Sequence, residues 1–170
     1  MKNQTRTSAA TSINARKLPA VYSRFSIAPG AVVFDYGCGK YTDHIRAALP
    51  AGCLYLPFDP YNQPAEVNER SRFLLAYLAR FSRRPVVVIC SNVLNVIDSD
   101  DAMRAAAAEL FQLVTDAAGV GLVTVYEGDR TGNGRETGPD QWQRNQRTRD
   151  YLGLFPAGHA RISKNTIILQ

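Results

Sequence analysis

Residues 31–40 read AVVFDYGCGK, and residues 54–60 read LYLPFDP. Each stretch is an apolar run that closes on a carboxylate, Asp35 in the first and Asp59 in the second, and the first continues through two glycines at alternate positions, Gly37 and Gly39. Two such runs about one helix apart are what an open α/β fold needs to hold an adenosine-containing ligand at the ends of its strands. They set one strand over 32–35, entered through a turn at Pro29 and Gly30, and another over 53–58. A short helix over 42–49, ended by Pro50 and Gly52, joins them.

The alternation continues outward. Upstream, residues 1–12 are expected to form a disordered leader, and 12–25 a short irregular helix interrupted at Pro19. Downstream, 69–81 has helical spacing, with Phe73, Tyr77 and Phe81 four residues apart and Leu74 and Leu78 beside them, and the stripe is read as core. The apolar run 86–90 is of the kind buried on both faces of a parallel sheet. A helix over 100–115 follows, with Ser99 as N-cap and Asp100 and Asp101 in its first turn, then a strand over 120–126. Residues 127–138 are polar and glycine-rich, Pro139 is placed to open a helix reaching about Leu154, and 160–163 pairs with 166–169 as a closing hairpin turned by Lys164 and Asn165. Between Asp59 and Val86 there is room for one helix and no further strand. The predicted fold is a single α/β domain over 13–170, three-layered, with a reduced, mostly parallel sheet of about six strands and a C-terminal antiparallel hairpin.

Composition narrows the class. A chain of 170 residues with 45% hydrophobic and 21% charged residues is one domain able to bury its own core, and no apolar run approaches a membrane span. The net charge of +5 is unevenly placed: Lys2, Arg6, Arg16, Lys17 and Arg24 precede the first acid, Asp35, while Arg130, Arg135, Arg144, Arg147 and Arg149 cluster late. Such clusters are either solvated faces or a surface for an anionic partner such as nucleic acid. The start is basic, rich in Ser and Thr and acid-free, as transit peptides are, but has no apolar segment of a secretory signal, and it is read as a flexible leader. Cys38, Cys53 and Cys90, an odd number without paired spacing, read as reduced thiols of a cytoplasmic protein. His44 and His159 lack partners at metal spacing and are read as surface residues, so no metal is expected.

From Ala31 onward, the DYGCG turn, the FDP strand end and the terminal hairpin resemble the class I, Rossmann-like S-adenosylmethionine-dependent methyltransferases. More narrowly, DYGCG, the DP of the second strand and VLNVI at 93–97 are similar to a bacterial group of methyltransferases associated with DNA phosphorothioation, as is SINARKLP at 12–19. The resemblance implies S-adenosyl-L-methionine as cofactor, bound by Asp35, Tyr36, Gly37, Cys38, Gly39, Asp59, Pro60, Tyr61, Ser91 and Asn92. In that set the glycines admit the ligand close to the backbone, and Asp35 takes the methionine ammonium directly or through water. Asp59 accepts from both ribose hydroxyls, and Tyr61 or Phe58 flanks the adenine. The chain departs from the family at Tyr41, where a glycine is common. A nicotinamide dinucleotide is the rival within the fold class, but it wants a third glycine where this chain has Thr42, and an acid two residues before Gly37 suits an ammonium better than a pyrophosphate.

Methyl transfer from a sulfonium needs in-line positioning and, for weak nucleophiles, a base or a polarising acceptor. The Asn-Pro-Pro-Tyr motif of amino methyltransferases and the Pro-Cys nucleophile of cytosine C5 enzymes are both missing. Asn92 and Asn95 are candidates to offer amide oxygens to an incoming nucleophile, although asparagines at strand ends also satisfy backbone turns. Glu127 and Asp129 are candidates for a base or an orienting group, and otherwise belong to a solvated loop. Asp140, Trp142 and Arg144 begin the predicted polar helix, with Trp142 either a stacking platform for a base or a residue packed on the sheet. The sequence therefore predicts an S-adenosylmethionine-dependent methyltransferase of nucleic acid, DNA favoured, contacted through Arg130, Arg135, Arg144, Arg147 and Arg149. Methyl transfer to a small molecule or a protein, and a cofactor-binding or interaction module without turnover, are the alternatives.

Overall fold

The computed structural model describes residues 17–139 and 141–170, so the expected leader, the start of the first helix and Asp140 lie outside the described residues. In chain order the elements are α1 (Val21–Arg24), β1 (Val32–Tyr36), α2 (Asp43–Ala48), β2 (Leu54–Phe58), α3 (Ala65–Phe81), β3 (Val86–Ser91), a single 3-10 turn (Leu94–Val96), α4 (Asp100–Asp116), β4 (Val120–Thr124), β5 (Arg135–Gly138), β6 (Gln141–Gln143), a 3-10 helix (Thr148–Leu154), β7 (Ala160–Ser163) and β8 (Thr166–Leu169).

Six strands form one sheet in the order β2-β1-β3-β4-β8-β7, and β5 pairs with β6 in a separate antiparallel hairpin. The strands β2, β1, β3 and β4 are mutually parallel, whereas β8 runs antiparallel to both β4 and β7. The β7–β8 turn is where the sequence puts it, and Lys164 and Asn165 both adopt positive φ, 49° and 54°, the backbone that a two-residue hairpin turn requires. Successive side chains of a strand point to opposite faces, so each parallel strand feeds two cores. Val32, Phe34, Tyr36, Leu56, Phe58, Val88 and Cys90 pack under α3, α4 and the 3-10 helix. On the opposite face Val33, Tyr55 and Ile89 meet Val21 of α1 and Ile45 of α2. The result is the expected three-layer α/β arrangement, thinner on the second face, where α1 and α2 have only 4 and 6 residues.

Helix α4 begins as read, with the Ser99 hydroxyl accepting from the Ala102 amide at 3.3 Å. Two expectations change. The Phe73, Tyr77 and Phe81 stripe is not core: these rings are 68%, 50% and 66% exposed. Helix α3 carries two adjacent apolar rows, and the sheet, which ends at the edge strand β2, covers only the row of Ser71, Leu74, Leu75 and Leu78. The second change is at Pro139, which sits in the β5–β6 turn and does not open a helix. Residues 141–147 have no apolar stripe of helical period to bury, and QWQ alternates as a strand does; a helical segment returns only at Thr148.

Candidate functional site

Strand order reverses between β1 and β3, because the chain leaves β1 for β2 on one side and returns past it to β3 on the other. Loops at the carboxyl ends of the strands diverge at such a point and leave a crevice. Here it is a cavity of about 1270 Å³ walled by residues 35–38, 59–61, 91–93 and 95–98, by the β5–β6 hairpin, and by residues 17–20 folded across from the N-terminal side.

Asp35 is 3% exposed in that wall. Strand alternation turns it to the thin face, where Tyr22 of α1 and Tyr55 of β2 both donate to its Oδ2, at 2.8 and 2.7 Å. Burial pushes the Asp35 carboxyl up to about 6, against the two tyrosine bonds, which pull it down. The same burial beside Asp35 holds both phenols far above their ordinary value, so they stay neutral donors. Tyr36, the next residue, borders the cavity but turns its side chain to the other face, where its hydroxyl donates to Glu109 of α4.

The glycine turn that follows is clamped. Gly37 and Gly39 have φ of 77° and 75°, and a Cβ on Gly37 would lie 2.3 Å from Val93 Cγ2. The amides of Gly37 and Cys38 donate to the Phe58 carbonyl at 2.7 and 3.2 Å, and that of Gly39 to Asp59 Oδ2 at 2.9 Å. Cys38 lines the cavity, but burial raises its thiol well out of the reactive range. Asp59 also accepts from the amides of Tyr61 and Asn62, both 2.9 Å, and from the Asn62 side chain at 3.2 Å. Asn68, one turn into α3, brackets the Asp59 backbone, and Gln63 donates to the Gly39 carbonyl. Pro60 and the 56%-exposed Tyr61 form the rim here, whereas Phe58 is stacked into the core against Phe34 and lies away from the cavity.

Past β3, Ser91 accepts from Thr124 and Asn92 takes φ 58° as its amide donates to the Thr124 carbonyl, so Asn92 turns the chain. Asn95 is 1% exposed, and its Nδ2 donates to Gln143 Oε1 at 3.1 Å. Gln143 is oriented by its own Nε2, which donates to the Tyr126 carbonyl at 2.8 Å. Gln143 therefore presents oxygen to Asn95, Asn95 must present nitrogen in return, and the Asn95 Oδ1 is left buried without a partner, while Asn95 as a residue borders the cavity. Trp142 Nε1, on the adjoining hairpin, is likewise buried and unpartnered. A buried orphan acceptor costs about 1–3 kcal/mol until something donates to it.

Of the two candidate bases, Asp129 reaches the cavity wall and Glu127 does not. Glu127 accepts from the Thr148 amide and hydroxyl at 2.8 and 2.9 Å and pairs with Arg130 at 2.7 Å. Asp129 accepts from Thr131 at 3.0 and 2.8 Å. These donors hold both carboxyls below the usual range, the reverse of the tuning a general base needs.

The arginines separate into different roles. Arg144 is 7% exposed and ties β6 to the loop before α4, donating to the carbonyls of Ile97 and Asp98 and to Asp100. Arg135 borders the main cavity, while Arg130, Arg147 and Arg149 ring a second cleft of about 470 Å³ beside it. His44 lines the main cavity and His159 is exposed. Among the described residues no group of three or more potential ligands is placed to hold a metal ion, and no helix is long and apolar enough to cross a membrane.

Comparison with models of known protein families, with curated proteins and with solved structures gives no match to this chain. The partners of the site that sequence reading missed are Tyr22, Tyr55, Gln143 and residues 17–20. Tyr22 falls within the irregular helix expected over 12–25, Tyr55 within the second strand, and Gln143 within the helix expected after Pro139. Nothing in their spacing reports that they converge on Asp35 or Asn95.

Proposed function

We propose that this chain is an S-adenosylmethionine-dependent methyltransferase acting on nucleic acid, DNA first. The observation that carries the reading is Asp35: a buried carboxylate in a cavity wall at the switch point, beside a glycine turn whose three amides are occupied. A pyrophosphate is usually bound by free amides at such a turn, and Gly37, Cys38 and Gly39 have none to offer. A cationic ammonium needs a carboxylate, which Asp35 provides. The single reversed strand β8 inside an otherwise parallel run also suits the methyltransferase arrangement that the sequence resembles.

Bound here, S-adenosylmethionine would supply a methyl group on a positively charged sulfur. Asp35 would hold the ammonium, Tyr61 would border the adenine, and Asp59 would meet the ribose hydroxyls only if the Asn62 side chain, the one mobile donor on its carboxylate, moved off. A small shift of the Asn95 side chain toward the cavity would let its buried, unpartnered Oδ1 accept a hydrogen bond from an N–H of a nitrogen methyl acceptor, orienting the nucleophile while the displaced proton leaves to solvent. That division of labour fits Glu127 and Asp129, both committed to loop structure. Arg130, Arg147 and Arg149 would take backbone phosphates beside the cavity.

Calorimetry tests the cofactor half. S-adenosylhomocysteine should bind the parent protein and bind Asp35→Ala at least about tenfold more weakly, the loss of one charge-assisted contact. Tighter binding of NAD than of S-adenosylhomocysteine would overturn the assignment.

A further inference from the structure

Helix α3 leaves a continuous aromatic row in solvent. Phe73 stacks on Tyr77 with centroids 6.2 Å apart, and Tyr77 on Phe81 at 5.0 Å. At their exposures of 68%, 50% and 66% the three rings leave roughly 300–400 Å² of aromatic surface uncovered. That is the size of the largest patch on a whole typical monomer, gathered on one helix. It lies at the sheet edge, where Pro57 removes a donor from β2 and so handicaps pairing by strand addition. The helix face, not the strand edge, is the surface open to a partner.

The charges on that face choose the partner. Exposed Glu66 and Glu69 stand near the N-terminal end of α3 with exposed Arg70 next to them, and exposed Arg80 and Arg83 stand at its C-terminal end; in the antiparallel register below Arg70 faces the uncharged Ala79. A second α3 laid antiparallel meets complementary charge at both ends. In the register centred between Leu74 and Leu75, Glu69 faces Arg80 of the second copy, Glu66 faces Arg83, and Phe73 faces the small, exposed Ala76. Two-fold symmetry repeats each pairing. The rings alone supply close to half of the about 800 Å² per protomer that a standard interface buries.

We propose that α3 is the two-fold interface of a homodimer of this chain, with Phe73 and Tyr77 nearest its centre, Phe81 toward each end, and the Glu69–Arg80 and Glu66–Arg83 pairs on either side of Phe81. The interface is on the α3 face of the sheet and requires no ligand in the cavity, so it stands apart from the proposed activity.

Sedimentation velocity on the full chain over a concentration series is the test. The parent should sediment as a dimer, and Phe73→Glu as a monomer with unchanged circular dichroism, since an exposed position leaves the fold alone. Glu69→Arg and Arg80→Glu should each raise the dimer dissociation constant at least about tenfold, because symmetry makes every substitution count twice. The double variant should recover the parent value by re-forming the pair in reverse. A monomeric parent at all concentrations, a dimer indifferent to Phe73→Glu, or a double variant weaker than both singles would each overturn the proposal. So would a parent that stays monomeric and binds single-stranded oligonucleotide in a manner abolished by Phe73→Glu.

Discussion

Tyr55 donates its hydroxyl to Asp35 across 2.7 Å, between neighbouring strands and on the thin face of the sheet. With Tyr22 bonded to the same oxygen, the carboxylate is held in place yet remains hard to ionise, since its carboxyl stands at about 6. The arrangement keeps a costly charge where a cationic ligand would need it.

Asp35→Asn should therefore stabilise the protein at neutral pH. The folded-state value lies above the unfolded one, so the stability tied to protonated Asp35 is full below about pH 4 and is lost as pH rises through 6; the difference corresponds to about 3 kcal/mol. Asparagine keeps an acceptor for both tyrosines and avoids the charge. Its melting temperature should match the parent's near pH 4 and exceed it by roughly 5–10 °C at pH 8. A gain that is equal at both pH values would separate the effect from ionisation. The same variant should lose S-adenosylhomocysteine affinity at pH 8.

Gly37→Ala should destabilise by two separable routes. Its φ of 77° disfavours any side chain by about 1–2 kcal/mol, and its Cβ would meet Val93 Cγ2 at 2.3 Å. Adding Val93→Ala should return the steric part of the loss and leave the backbone part. Urea midpoints of the parent, the single and the double variant measure both. Full recovery in the double variant would show that the backbone conformation carries no penalty.

Asn95→Ala removes the unpartnered amide oxygen. If Oδ1 orients the methyl acceptor, turnover should fall about a hundredfold or more while S-adenosylhomocysteine affinity changes little, the pattern of a contact made mainly in the transition state. Gln143→Leu should reproduce much of that loss, because Gln143 sets the direction in which Asn95 points. Parallel losses of cofactor affinity and turnover would instead assign Asn95 to the cofactor pocket.

The parallel core and the closing hairpin were legible because strands buried on two faces are continuous apolar runs, and because Lys164 and Asn165 sit between two such runs. The loops that bring residues 35–39, 59–61 and 91–95 together were legible because each follows an apolar run in a strand–helix alternation, which places them all at the carboxyl ends of parallel strands. What was hidden depends on facing, not on spacing. The Phe73 row and the Leu74 row of α3 have the same period, and only the extent of the sheet decides which is covered. Arg144 and Arg147 look alike in a basic cluster, yet one is enclosed by the carbonyls of Ile97 and Asp98 and the other opens on a cleft.

That difference between arginines tests the nucleic-acid half of the proposal. If Arg130, Arg147 and Arg149 each reach a phosphate, affinity for duplex DNA should fall with salt at a log-log slope of about −2.7, or nearer −2 on a single strand. Arg147→Gln with Arg149→Gln should flatten that slope by up to about two units and leave thermal stability unchanged, since both side chains border an open cleft. Arg144→Gln should do the opposite. Its guanidinium satisfies two backbone carbonyls and Asp100, so the variant should lose about 2 kcal/mol or more of stability while the slope of the folded protein stays at the parent value. Fluorescence anisotropy across a salt series, with melting curves on the same samples, reads both quantities. A slope that Arg144→Gln flattens and the Arg147, Arg149 pair leaves alone would reverse the roles assigned here, and no binding to DNA or RNA at low salt would point to a small-molecule or protein methyl acceptor.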